Sequence, residues 1–193
     1  MQKTLRRLAA VAAGTAVAVG SASAAVQGVA RIEISLAPGA SSYLQVAEVV
    51  AMSGGADVAV AGTATASATS LYFMRSTTAS AIDGNTGGSF WGDVIYHSGV
   101  GDANPVLTID FGGAAFDLDS LAIFGRTDCC TARDVYDVTL FGLDGAVLFS
   151  QSGLAANGAG VEADLPVTAV PLPGAMALFV PALGGLFVAR RKA

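Results

Sequence analysis

The run Val135-Tyr136-Asp137-Val138-Thr139-Leu140-Phe141, the turn Gly142-Leu143-Asp144-Gly145 and the run Ala146-Val147-Leu148-Phe149-Ser150-Gln151 decide the fold. Two β-branched and aromatic runs flanking a short Gly/Asp turn form a hairpin signature. The same pattern continues outward. Leu118 to Phe124 reads as a further strand, and Val106 to Phe111 places Leu107, Ile109 and Phe111 on one face. Arg31 to Leu36 alternates Ile32 and Ile34 against Glu33 and Ser35, and Tyr43 to Met52 forms another run. Thr63 to Ser70, rich in Ala, Thr and Ser, fits an edge strand. Residues 27–167 contain no convincing amphipathic helix. Short strands broken by Gly, Asp, Asn and Ser predict an all-β sandwich or jelly roll over 27–153. Residues 154–169, Gly/Ala-rich at first, read as an exit from the domain and a spacer.

Charge is scarce and unevenly placed. Of 193 residues 13% are charged, against roughly a quarter in ordinary globular domains. Lys3, Arg6 and Arg7 stand at the start, and Arg190, Arg191 and Lys192 at the end. The body between keeps four arginines (31, 75, 126 and 133) against all fifteen acids, a net charge of −11. An acidic body without lysine argues against nucleic acid as a partner. It also makes each remaining arginine informative.

The ends read as addresses. A basic start, an apolar stretch from Leu8 to about Val19 and the small-x-small Ala22-Ser23-Ala24 make residues 1–24 a secretory signal helix. Val170-Pro171-Leu172-Pro173-Gly174 leads into an apolar run from Ala175 to Ala189 and the terminal basic cluster. The run is shorter than the roughly 20 residues that span a bilayer, and the basic end should stay cytoplasmic. Residues 170–193 resemble the PEP-CTERM sorting signal of Gram-negative bacteria, with Leu172 where an acid is usual. The resemblance implies a hydrophobic helix processed by an exosortase-type enzyme and delivery to the cell surface, outer envelope or extracellular matrix. A plain C-terminal membrane anchor is the alternative.

The two cysteines are neighbours, Cys129-Cys130. Framework disulfides join Cα atoms about 4.4–6.8 Å apart, whereas adjacent Cα atoms lie about 3.8 Å apart. A bond between them closes a tight ring, which an oxidising compartment allows to persist. Two thiols or an intermolecular bridge are the other options. The segment runs Arg126-Thr127-Asp128-Cys129-Cys130-Thr131-Ala132-Arg133, and the sole histidine, His97, lies 29 positions before Arg126. Two guanidiniums offer planar, multi-donor hydrogen bonding and an imidazole adds a donor or acceptor, a set able to grip adjacent sugar hydroxyls. The plainer account is a salt bridge from Arg126 or Arg133 to Asp128, with His97 at the surface.

His97, then Arg126-x-Asp128, four residues, then Arg133, with the cysteine pair, is similar to the F-type lectin signature. The gap from His97 to Arg126 is about two residues longer than usual. The wider resemblance is to discoidin-like, galactose-binding-like jelly rolls. It implies that His97, Arg126 and Arg133 donate to an L-fucose-type ligand, that Asp128 orients the arginines, and that a Cys129–Cys130 disulfide contacts the ring. Phe90, Trp91 and Tyr96 are candidates for stacking, with Trp91 expected in the core.

Ala81-Ile82-Asp83-Gly84-Asn85-Thr86 resembles the calcium loop of these domains. The resemblance implies a structural calcium held by Asp83 and Asn85, with backbone oxygens of Ser80 and of Val94 or its neighbour Asp93. An ordinary Asx turn needs no metal. The family's closing strand carries a further glutamate, and nothing after Phe149 resembles it. The segment from Arg31 to Glu48 does, which predicts a circular permutation with Glu48 and the Ala47 carbonyl beside Asp83 and Asn85. No catalytic carboxylate pair or nucleophile motif stands out, so a non-enzymatic protein is expected. Two functions remain: an exported lectin for an extracellular glycan or exopolysaccharide, and a structural surface or matrix protein on the same scaffold that binds no sugar.

Overall fold

The computed structural model describes residues 26–40 and 43–166. The export signal at 1–24, the sorting segment at 170–193 and the last residues of the expected spacer lie outside the described residues. The regular structure of the described chain is almost entirely β, in several antiparallel sheets, with two short 3-10 turns at Thr78–Ile82 and Thr131–Arg133.

Thirteen strands form: β1 Val26–Val29, β2 Arg31–Leu36, β3 Gln45–Val46, β4 Glu48–Ser53, β5 Ala56–Asp57, β6 Thr65–Ala68, β7 Tyr96–His97, β8 Val106–Asp110, β9 Phe116–Leu118, β10 Ser120–Phe124, β11 Val135–Phe141, β12 Val147–Ala155 and β13 Gly160–Glu162. One sheet has the order β12-β11-β2-β8-β6, and a second has β13-β10-β4-β5. The pairs β1-β9 and β3-β7 complete the set.

Register follows the hydrophobic alternation. Ile32 faces Leu140 on β11 and Ile109 on β8, while Ile34 faces Val138 and Leu107. In the second sheet Leu121 pairs with Ala51, and Ile123 with Val49. All ten side chains are buried in one cluster to which both sheets contribute. A one-residue slip would turn every one of them outward, which is why this register is specified. The hairpin at Gly142–Gly145 closes through Gly142 N–H to the Ala146 carbonyl, and Gly145 takes φ +79°, which favours glycine.

Two expectations change. The run from Tyr43 to Met52 is two strands, broken where the Ala47 N–H leaves the β3 ladder for the Phe124 carbonyl. The chain after Gly153 does not leave the domain. Leu154 and Ala156 are buried, β13 pairs with β10, and Ala163 N–H bonds the Leu121 carbonyl. Backbone pairing to β10 holds this segment, and Val161, Ala163 and Leu165 pack against the main core beside Leu154 and Ala156. Thr65–Ala68 does form the outer strand of the larger sheet, as its composition indicates.

Candidate functional site

His97, Arg126 and Arg133 converge on one hollow of about 210 Å³. Four aromatic side chains, Tyr43, Tyr72, Phe90 and Trp91, complete its lining. Backbone geometry brings these distant segments together. Gln45 pairs with His97 across β3 and β7, which places Tyr43 beside the imidazole at a ring-centroid distance of 4.9 Å. Tyr72 N–H and the Ser76 hydroxyl both donate to the His97 carbonyl. Thr127 N–H donates to the Gly88 carbonyl, which docks the loop carrying Phe90 against the loop carrying Arg126. A Cβ at Gly88 would sit 2.2 Å from the Gly125 carbonyl oxygen, so this approach requires glycine. Beneath lies a small apolar cluster of Ala47, Phe90 and Ile95, with Tyr72 and Phe124 against it.

Asp128 links the walls. It forms an ion pair with Arg126 Nε and accepts from Trp91 N–H and the Ser89 hydroxyl. Desolvation opposes its ionised form, but the bonds from Arg126 and Trp91 outweigh it and hold its carboxyl below the usual range. Arg126 is 7% exposed, with its guanidinium 4.7 Å from the Phe90 centroid. Arg133, at the end of the second 3-10 turn, lies 5.7 Å over Tyr43. Among the described residues Arg133 has no carboxylate at ion-pair distance.

His97 is buried, contrary to the plainer expectation of a surface residue. Burial lowers its pKa, a bond to Ser98 works against this, and the charges of Arg126 and Arg133 lower it further. The imidazole is therefore neutral near pH 7. Nδ1 lies 2.8 Å from the Ser98 carbonyl, so Nδ1 carries the proton and Nε2 keeps its lone pair as an acceptor. The hollow thus offers guanidinium donors, one imidazole acceptor and aromatic faces.

The cysteines are joined to each other, and Cys130 adopts φ +62° where it caps the turn leading to Arg133. Among the described residues lining the hollow, neither cysteine is included. The apolar part of this lining is made of rings. Trp91 is 63% exposed, which corrects its expected place in the core, while Tyr96 is fully buried with its hydroxyl donating to the Ser70 carbonyl.

Three contributors escape the sequence reading. Tyr43 and Tyr72 stand between strands, where no periodicity indicates a facing. Asp134 is fully buried, and its Oδ2 accepts the Arg126 N–H at 2.7 Å. Desolvation raises its pKa to about 7, against the N–H bond and the charges of Arg126 and Arg133. A signal did exist, since Asp134 shares the inward parity of Tyr136, Val138 and Leu140 on β11.

The second expected site assembles in part. Glu48 is fully buried, and its Oε2 accepts the N–H groups of Asp83 and Gly84 at 3.2 and 3.1 Å. Asp83 Oδ1 accepts Asn85 N–H, and Asn85 Oδ1 accepts Gly87 N–H, as in an Asx turn. Asn85 Nδ2 also reaches Asp93 at 3.5 Å. Ser80 bonds the Thr77 carbonyl through its hydroxyl, Ala47 is buried, and Val94 is 43% exposed. Glu48 Oε1 is buried without a hydrogen-bond partner. Desolvation, with the Asp83 charge next, raises the Glu48 pKa to about 7. A cation would satisfy that oxygen and relieve both effects, so the residues fit a hard metal ion. Among the described residues no group of three or more His, Cys, Asp or Glu could hold one, and the expected donor set relies on an amide and carbonyls as well.

Neither protein-family models, nor curated proteins, nor solved structures match this chain. Among the described residues no helix is long and apolar enough to cross a membrane.

Proposed function

We propose that this is an exported carbohydrate-binding protein of the cell surface or extracellular matrix, holding a sugar of the fucose type at the hollow. The observation that carries the reading is the convergence of His97, Arg126 and Arg133 on one ring-walled opening. A sugar hydroxyl can accept from a guanidinium while donating to His97 Nε2, and the apolar face of a pyranose packs against the rings. Asp128 and Asp134 act as positioning residues, fixing Arg126 from its side chain and its backbone. The cysteine pair shapes the loop rather than walling the ligand.

We read the sheets as a circularly permuted galactose-binding-like jelly roll. In support, β2 and β4, from the N-terminal third, are interior strands of the two larger sheets. The burial of Glu48 at the Asp83–Gly84 turn supports it too. A structural calcium there would be held by Glu48, Asp83 and Asn85, with backbone oxygens of Ala47, Ser80 and Val94. It would neutralise a buried carboxylate and brace the loop leading to Phe90. Residues 1–24 and 170–193 are proposed to export the chain and present it to an exosortase-type enzyme. The partner is an extracellular glycan or exopolysaccharide.

A structural role without sugar binding is favoured by one observation: Arg126 is already paired with Asp128 and largely buried, as a loop brace would be. A glycan array separates the two. The full chain should bind a restricted set of fucosylated glycans. Arg133→Ala should weaken that binding about 10- to 100-fold, as for loss of a charged hydrogen bond, with little change in Tm. Arg126→Ala should abolish it. Binding of no glycan, or equal binding by wild type and Arg133→Ala, leaves the structural role standing.

A further inference from the structure

A hollow of about 210 Å³ is smaller than the roughly 300–1,000 Å³ of pockets that enclose a drug-sized ligand. It accommodates one ring, so the next unit of a glycan must lie over the rim. That rim is unusual. Phe73 is 78% exposed and Trp91 63%, with Leu71 and Met74 at 49% and 40% beside Phe73 in the chain. Leu71, Phe73 and Met74 lie within four consecutive residues and are joined to the lining through Tyr72, an arrangement that suits a contact surface.

The rings run without a break from Phe73 through the lining of the hollow to Trp91. Phe73 packs on Tyr72 at 4.7 Å, Tyr72 meets Phe90 at 6.0 Å, and Phe90 meets Trp91 at 5.3 Å. The inner members, Tyr72 and Phe90, line the hollow. Arg75 ties the two loops together, its Nη2 donating to the Trp91 carbonyl at 2.9 Å. Arg75 itself sits at φ +49°, a region that costs a non-glycine residue energy and is retained where surrounding contacts hold it.

We propose that Phe73 and its loop form a second subsite, an aromatic shelf for the sugar adjoining the one in the hollow. The inference rests on the carbohydrate reading above and narrows it from single sugars to the end of a glycan chain. The neighbour is held by the apolar face of its ring against Phe73, with few hydrogen bonds. Continuity with a polar hollow favours a saccharide as occupant. An anionic membrane surface is disfavoured, because the body carries a net charge of −11 and no lysine.

The test is calorimetric titration of the full chain with methyl α-L-fucoside and with 2′-fucosyllactose. The trisaccharide should bind about 3- to 10-fold more tightly. Phe73→Ala should remove that increment and leave the monosaccharide affinity unchanged. Monosaccharide binding with no increment, or equal weakening of both sugars by Phe73→Ala, overturns the shelf while the hollow stands. If neither sugar binds the wild type, the hollow fails and the shelf with it. Binding to zwitterionic phosphatidylcholine vesicles that Phe73→Ala abolishes, with no sugar increment, assigns the patch to a membrane instead.

Discussion

Asp134 and Glu48 are both fully buried, both bond backbone N–H groups through one oxygen, and both have pKa values raised to about 7. Their neighbourhoods are opposite. Around Asp134 stand Arg126 and Arg133, whose charges favour the ionised form and oppose desolvation. Around Glu48 stands Asp83, whose charge adds to desolvation. In each case the other carboxylate oxygen is buried without a partner. The hollow therefore already holds the cations its buried acid calls for, whereas the turn at Asp83–Asn85 holds a surplus of negative charge. The calcium proposed above would therefore gain little at the first place and much at the second.

The largest expected effect tests the packing around Asp134. A Cβ at Gly125 would lie 2.5 Å from Asp134 Oδ2 and 2.8 Å from the Tyr136 hydroxyl. Gly125→Ala should cost about 3 kcal/mol or more, since it overpacks a site and disturbs two buried polar groups. Chemical denaturation measures this, and a loss under about 1 kcal/mol would mean that the region yields easily.

Next comes the contrast itself. Without metal, Glu48→Gln should stabilise the protein at pH 8 by about 1–3 kcal/mol, because it removes a charge that burial and Asp83 disfavour. Added calcium should raise the Tm of the wild type and of Asp134→Asn, but not that of Glu48→Gln. An equal calcium response in all three would place the ion elsewhere.

The pH dependence is smaller and has a definite sign. A carboxyl whose folded pKa lies above its unfolded value binds its proton more tightly when folded. Glu48 and Asp134 therefore add stability at low pH that is lost between about pH 4 and 7 as each ionises. His97, with a lowered pKa, contributes the opposite slope as pH falls below its unfolded value of 6.5. Metal-free protein should have a higher Tm at pH 5 than at pH 8, and Glu48→Gln should flatten the curve. Sugar affinity should move the other way. It should hold from pH 8 to 7 and fall on acidification as Nε2 of His97 gains a proton, a trend that titration at three pH values would reveal.

Much of the fold could be read from alternation. Ile32 and Ile34, Leu107 and Ile109, and Leu121 and Ile123 are buried where period-two patterning puts them. The trio of site residues was legible because arginine is so scarce in the body that its placement carries information. The ring walls were not. Tyr43, Tyr72 and Trp91 lie between strands, and an aromatic residue in a loop has no neighbours two positions away to show its side. β13 was hidden because Gly160-Val161-Glu162 is short and opens on glycine, although Val161, Ala163 and Leu165 pack against the core at period-two spacing. Glu48 was legible only through the resemblance of its segment, since an acid beginning a strand ordinarily faces solvent.

Apart from His97, each wall of the hollow is supplied by a segment that connects strands. The sheets fix where those segments begin and end, and contribute little to the surface a ligand meets. Under the proposed carbohydrate reading, substitutions at the exposed Leu71, Phe73 and Met74 exchange one selectivity for another and leave the sheets as they are, so chains sharing this architecture would differ in the glycans they hold.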